Sequence, residues 1–138
     1  MKLQSLARPV PSAGPNKVLA IAGFVVAAAL LVASSYVHFH LWQDGYRHIP
    51  TIGDLFLLQA IAGVVVAIMV IGVRRVWSAI VGAGFALSTL VGFLISVNYG
   101  LFGFKDSSSA PYAHMAFALE LAAVIVCVFA GALCASQA

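Results

Sequence analysis

The chain has 138 residues, of which 63% are hydrophobic and only 8% are charged, and its mean hydropathy is +1.08. Soluble domains carry about 25% charged residues, so this composition excludes an ordinary soluble fold and makes a lipid bilayer the expected solvent. Inside hydrocarbon every backbone polar group needs an internal partner, which leaves helices or closed barrels. Long apolar runs without the alternation of barrel strands predict an all-α membrane protein.

The N-terminal segment 1–17 contains Pro9, Pro11 and Pro15 and is predicted to be a disordered cytoplasmic lead-in. An alternative interpretation is a cleaved secretory signal, because a basic segment precedes an apolar stretch. Against that alternative, Val18–Val37 is longer than the hydrophobic region of a typical signal peptide, and no A-x-A cleavage site follows it. We therefore expect this stretch to be the first membrane span.

Four apolar runs are long enough to cross a hydrocarbon core about 30 Å thick, which needs about 20 helical residues. In chain order they are Val18–Val37, Leu55–Val73, Val76–Val97 and Ala113–Cys134. The first three contain no charged residue, and the fourth contains only Glu120. Residues 18–134 are accordingly predicted to form one antiparallel bundle of four transmembrane helices.

The distribution of Lys and Arg predicts the orientation of this bundle, because basic residues favour the cytoplasmic side. On one side of the spans only Arg47 and Lys105 are basic, whereas the other side carries Lys2, Arg8, Lys17, Arg74 and Arg75. This bias places both termini, including the tail 135–138, in the cytoplasm. The net charge of +3 is explained by contact with anionic lipid, and no nucleic-acid partner is expected.

The third span carries a small residue at every fourth position along one face. The stripe consists of Gly84, Ser88, Gly92, Ser96 and Gly100. Small residues at this spacing let helix backbones approach closely in lipid. We expect the stripe to pack against other helices of the same chain, rather than to form a dimer seam, and a Gly92→Leu substitution to weaken folding.

Glu120 is the one carboxylate within a predicted span. A charge about 10 Å below the outer edge costs about 2.5–3.5 kcal/mol, and intramembrane carboxylates often mark functional sites. Its neighbours on the same helix face are small, so the side chain is expected to point into the bundle. It could bind a cation, relay a proton, or serve as a neutral structural hydrogen-bond donor. The predicted intramembrane polar site comprises Glu120, Gln59, Asn98 and Ser34.

The four histidines fall at or near the outer ends of the predicted spans, where imidazole and carboxylate groups could bind a transition metal. The candidate ligands are His38, His40, His48, His114, Asp44 and Asp54. His38 and His40 would converge only if their helix unwinds near Gly45. His38 and His114 are also candidate haem ligands, provided that both lie within helices. The structural alternative is that these are ordinary interfacial histidines.

The stretch HLWQDGYRHIPTIGDLFLLQ, residues 40–59, contains the elements Gly-Tyr-Arg, Ile-Pro-Thr-Ile-Gly and Leu-Phe-Leu-Leu. It resembles a pattern in small uncharacterised four-helix membrane proteins of actinobacteria. The resemblance covers this stretch and the general helix plan. It implies a multi-pass protein of the bacterial cytoplasmic (inner) membrane, and it implies no particular activity.

Three functions are compatible with these features. Small size, packing seams and the lack of a complete set of reacting groups favour a non-catalytic accessory or assembly subunit, with a protein partner or as a homo-oligomer. The second is a metal- or haem-binding membrane protein that uses the outer histidines. The third is a small oligomeric transporter or channel centred on Glu120.

Overall fold

The computed structural model describes residues 2–137, and within this range the regular structure is helical. The helices are α1 (Leu3–Leu6), α2 (Pro15–Asp44), a 3₁₀ helix (Tyr46–His48), α3 (Ile52–Val73), α4 (Val76–Asn98) and α5 (Ala113–Ala135). The four long helices α2 to α5 are each long and apolar enough to span a membrane. Their length and hydropathy follow directly from the four apolar runs of the sequence.

Helix α2 is longer than the predicted span Val18–Val37, because it begins at Pro15 and continues through the polar segment to Asp44. Proline suits the first turn of a helix, where its missing N–H costs nothing. The helix ends at Gly45, whose φ of +150° is a conformation that other residues rarely adopt. The other three long helices match their predicted spans to within three residues at each end.

Helix α2 packs against both α3 and α5, and α5 in turn packs against α4. Small residues allow these approaches: a Cβ on Gly23 would lie 3.1 Å from the Cβ of Ala130, and one on Gly131 would lie 3.0 Å from the Cβ of Ala79. Helices α3 and α4 touch much less, although a tight turn joins them. A gap therefore remains between α3 and α4.

The small-residue stripe of α4 does not pack as predicted. Gly84 and Ser88 are exposed, and a Cβ on either Gly84 or Gly92 would meet no atom within 4 Å. The buried face of α4 is offset from the stripe and includes Ala79, Gly82 and Ala86. The structure therefore shows no close packing contact at Gly84 or Gly92, and it gives no packing reason for Gly92→Leu to weaken folding.

The lead-in predicted to be disordered is instead placed against the bundle. The Arg8 guanidinium donates hydrogen bonds to the carbonyl oxygens of Ala135 (2.8 Å) and Gln137, and the Val76 amide donates to the Arg8 carbonyl at 3.2 Å. Pro9 forms an isolated β-bridge with Arg75. The start of the chain, the α3–α4 turn and the end of α5 thus meet at one end of the bundle, which we call the terminal end.

Candidate functional site

A cavity of about 480 Å³ lies between the four long helices, under the two longer connections of the chain. Leu58 of α3 and Ser88 of α4 both line the cavity and are exposed, so the cavity opens through the gap between these helices. Its volume is within the range of about 300–1,000 Å³ that is usual for small-molecule sites. We call this end of the bundle the cavity end.

His38 and Glu120 line the inner wall of the cavity, and Ser34 contacts Glu120. We call these three buried polar side chains the Glu120 cluster. The Ser34 hydroxyl donates a hydrogen bond to Glu120 Oε1 at 3.3 Å, and His38 Nε2 lies 3.6 Å from the same oxygen. The exposed fractions are 4% for Ser34, 8% for His38 and 3% for Glu120. These residues form one connected group of buried polar side chains.

The helices bring the cluster together through simple spacing. Ser34 and His38 are four residues apart on α2 and so share one face. His38 Nδ1 lies 2.8 Å from the Ser34 carbonyl oxygen, which can only accept, so Nδ1 carries a hydrogen and donates. This leaves Nε2 as the ring nitrogen that faces the Glu120 carboxyl group, with Oε1 3.6 Å away. The cluster therefore places side by side two groups that can each carry a proton.

Gln59 lines the same cavity from α3, so the structure gathers three of the four residues predicted for the intramembrane polar site. The fourth, Asn98, is exposed at the end of α4, where its Nδ2 donates to the Leu94 carbonyl at 2.8 Å. His38 also belongs to this site, although it was predicted only as a metal or haem ligand. The four-residue spacing between Ser34 and His38 along α2 could have indicated that the two share a helix face.

The six candidate metal ligands are not brought together. His38 faces Glu120, while His40 Nε2 pairs with Asp44 Oδ2 at 3.1 Å. His48, His114 and Asp54 are exposed side chains. Between residues 2 and 137, no three His, Cys, Asp or Glu side chains are placed to hold one ion.

The helix does not unwind before Gly45, so His38 and His40 do not converge. Two residues apart on a helix, the side chains point about 200° away from each other around the axis. The two candidate haem ligands His38 and His114 both lie within helices, but His38 is buried in the Glu120 cluster whereas His114 is exposed. The histidines thus divide into one cavity residue and three that lie on or near the surface.

Tyr46, Phe104 and Asp106 close the cavity at the cavity end, and we call these three residues the roof. The Tyr46 hydroxyl donates to Asp106 Oδ1 at 3.2 Å. The Tyr46 ring stacks on Phe56 with centroids 4.4 Å apart and meets Phe104 edge-on at 5.8 Å. Burial, followed by the charge and hydrogen bond of Asp106, raises the pKa of Tyr46 to about 12.

The roof was not predicted from the sequence, because Tyr46 and Asp106 belong to two connections with no regular spacing between them. The Asp106 amide donates to the Ser96 carbonyl at 3.2 Å and also contacts the Ser96 hydroxyl. The second connection is thus anchored to the end of α4, and through Tyr46 it is joined to the first connection. The site therefore has a fixed cover at the cavity end and an opening at its side.

Comparison of the chain with protein-family models, with curated proteins and with solved structures finds no match in any of the three. The cavity, its Glu120 cluster and its roof are therefore the features from which a function has to be argued.

Proposed function

We propose that this chain is a multi-pass membrane protein that binds a small amphipathic molecule in the cavity, with the Glu120 cluster as its polar contact. One observation carries the proposal: a carboxyl group that is 3% exposed forms part of the wall of a cavity of about 480 Å³. Intramembrane carboxylates are costly to keep and tend to mark ligand or ion sites. An apolar cavity with a few convergent polar groups is the usual form of a small-molecule site.

The proposed ligand lies with its apolar part along α3 and α4 and its polar part at the inner wall. Phe56 and Phe93 supply apolar contact from the two sides of the gap. Gln59 adds an amide that can donate or accept next to the Glu120 cluster. Entry takes place through the gap between α3 and α4, so the ligand passes directly between the cavity and the lipid.

The membrane placement is part of the proposal. We infer an antiparallel bundle in the bacterial cytoplasmic membrane with both termini in the cytoplasm. Two observations support this orientation: the excess of Lys and Arg around the terminal end, and the contacts that gather the start of the chain, the α3–α4 turn and the end of α5. The cavity then lies in the outer half of the bilayer. Protease or reporter fusions at the C-terminus test this, and an external C-terminus would contradict it.

The binding proposal is tested with a matched pair of variants on α4. Gly92 lines the cavity whereas Gly84 does not, and a Cβ at either position meets open space. We expect Gly92→Leu to fill the cavity and Gly84→Leu to leave it open, with both proteins folded. Native mass spectrometry of protein ejected from nanodiscs should show a bound small molecule on the wild type and on Gly84→Leu. Its presence in equal amount on Gly92→Leu, or an empty wild type, would contradict the proposal.

A second function is favoured by a separate observation, the exposed small residues of α4. Gly84 and Ser88 present a flat surface on which another helix can lie closely, as is usual for helix association in lipid. We propose as the alternative a non-catalytic accessory subunit, or a homo-oligomer, that docks through this face. Loss of a stoichiometric partner or of self-association in Gly84→Leu supports it, and an unchanged assembly state argues against it.

A further inference from the structure

We propose that the ligand of the cavity is an organic monocation with apolar substituents, such as an alkyl or aryl ammonium ion; this inference rests on the proposed function. Three independent features of the cavity wall point to it. They are the sign of its charged groups, its aromatic rings and the geometry of the buried carboxyl group.

The charged groups of the wall have one sign. Glu120 and Asp106 line the cavity, and the described lining residues include no Lys or Arg. The neighbouring cations are directed elsewhere: Lys105 is exposed, and the Arg47 guanidinium lies 5.9 Å from the centre of the Trp42 ring. The one basic side chain among the described lining residues is the imidazole of His38, 3.6 Å from Glu120 Oε1. In a low-dielectric site, two carboxyl groups with no Lys or Arg beside them favour a cation over an anion.

The aromatic rings of the cavity wall also favour a positively charged ligand. Six of them line the cavity: Tyr46, Phe56, Phe85, Phe93, Phe104 and Tyr112. The face of an aromatic ring attracts a cation by about 0.5–2 kcal/mol, and cages of such rings recognise quaternary ammonium groups. Rings on several sides of one cavity, together with a carboxyl group, therefore suit a cation that has no hydrogen to donate.

The Glu120 carboxyl group has an atom free for this role. Among the described residues, Ser34 and His38 both approach Oε1, so Oε2 remains for the ligand. A carboxylate buried in a low-dielectric interior needs a counter-charge. A monocation in the cavity supplies that counter-charge when the carboxyl group is ionised. One buried carboxylate accommodates one positive charge in this way.

The route of entry requires the apolar substituents. The opening lies between α3 and α4, where Leu55, Leu58 and Val91 are exposed on the outer surface of the two helices. A small hydrated metal cation would lose its water shell on this path without gaining enough oxygen ligands. A cation wrapped in methyl, methylene or aromatic groups is weakly hydrated and can pass from lipid into the cavity.

The test compares two probes of the same shape, benzyltrimethylammonium and its uncharged carbon analogue neopentylbenzene. Binding to the purified full-length protein in an uncharged detergent is measured by saturation-transfer NMR and isothermal titration. We expect the wild type to bind the cation about tenfold more tightly than the neutral analogue, the factor expected of a few cation–π contacts and one carboxylate. Because this comparison needs no variant, it is decisive even if a substitution of Glu120 prevents folding.

The variants assign the preference to residues. Glu120→Gln should reduce the preference for the cation and keep the neutral probe bound, because the aromatic rings remain. Gly92→Leu should abolish binding of both probes, and Gly84→Leu should retain both. Equal affinity of the wild type for the two probes overturns the cation inference and leaves the cavity as an apolar binding site. Failure of both probes to bind also overturns it, and the proposed function falls as well if native mass spectrometry finds the wild type empty.

Discussion

Tyr46 is the residue on which the roof depends. Its ring is held between Phe56 and Phe104, and its hydroxyl group donates to Asp106. Ionisation of the phenol would leave a phenolate beside a carboxylate in a half-buried position, and both the burial and the like charge oppose this. The neutral phenol is therefore required to keep the two connections joined above the cavity.

The titration of Tyr46 provides the first prediction. Its phenol should ionise at a pH near 12 rather than near the ordinary value of 10. Because the folded pKa lies above the unfolded one, the stabilisation from neutral Tyr46 is fully present below pH 10 and is lost as the pH rises toward 12. Phenolate absorbance of the wild type minus that of Tyr46→Phe isolates this group.

Asp106→Asn is the control for the cause of that shift. It removes the negative charge and should lower the pKa of Tyr46 only in part, because burial is the larger cause. If the difference spectrum shows that Tyr46 of the wild type ionises at the ordinary pKa of a tyrosine, the roof is open in solution.

Ser34 is the residue that fixes the orientation of Glu120, and its removal gives the second prediction. Ser34→Ala deletes the hydroxyl that donates to Oε1 and should lower the free energy of unfolding by about 1 kcal/mol. Ser88→Ala is the control, since Ser88 is exposed and its hydroxyl bonds only to the Phe85 carbonyl of its own helix. Unfolding in mixed SDS micelles compares the two, and equal stability of the variants would contradict the assigned role.

At the scale of the helices, Gly63 is the glycine with the least room for a side chain, where α3 meets α2. A Cβ at this position would lie 2.0 Å from Ser35 Oγ and 3.3 Å from Ser35 Cβ. Ser35 Oγ is buried and makes no hydrogen bond within the part of the chain that the structure describes. The Ser35 hydroxyl group thus occupies the space where a Cβ of residue 63 would lie. The contact between Ser35 and Gly63 therefore limits how closely the backbones of α2 and α3 can approach.

The third prediction is that Gly63→Ala destabilises the bundle by about 1–3 kcal/mol, because the added methyl group overlaps Ser35 and pushes α2 from α3. Gly72→Ala on the same helix is the matched control, since a Cβ there meets no atom within 4 Å. Alanine favours a helix over glycine, so the control should be neutral or slightly stabilised. The prediction is wrong if both variants unfold at the same SDS fraction.

The helices also show which parts of the fold follow from the sequence. The four spans could be predicted because length and hydropathy alone decide whether a segment can cross a bilayer. The extension of α2 to Asp44 was missed because the predicted span ended with the apolar run at Val37, although nothing before Gly45 breaks a helix. The stripe of α4 was assigned to the wrong contact because sequence spacing identifies a small face but not the neighbour that it meets.

Only part of the candidate site could be predicted from the sequence. The small residues around Glu120 indicate a side chain that points into the bundle, and the structure places it 3.3 Å from Ser34. The cavity itself was not predictable, since it arises from the separation of α3 and α4. That separation depends on how all four helices pack, which no local pattern in the sequence records.

At the scale of the whole molecule, the two ends of the bundle are tied in different ways. At the cavity end, the roof joins the two longer connections through Tyr46 and Asp106. At the terminal end, the segment after α1 contacts both the α3–α4 turn and the end of α5. The gap between α3 and α4 lies between these two ties. A bundle fixed at both ends can therefore keep an opening at its side without separating.

Arg8 is central to the tie at the terminal end. Its guanidinium donates to the carbonyl oxygens of Ala135 and Gln137, and its own carbonyl accepts from the Val76 amide. The last carbonyl groups of a helix have no partner within it, and they carry the negative end of the helix dipole. The Arg8 guanidinium donates hydrogen bonds to these carbonyl groups and places a positive charge at the negative end of the dipole. It comes from the N-terminal segment, whereas α5 is the last helix of the chain.

The fourth prediction is that Arg8→Ala loosens the last turn of α5 and leaves the cavity end unchanged. The loss should be about 0.5–1 kcal/mol, seen as amide hydrogen exchange several-fold faster near Ala135. Lys17→Ala is the control, because Lys17 is exposed at the start of α2 and also belongs to the terminal end. Equal exchange rates in the two variants would mean that the positive charge of this end, rather than the contacts of Arg8, holds it together. Faster exchange at Tyr46 as well would mean that the two ties are coupled through the bundle, and the opening between α3 and α4 would then depend on both.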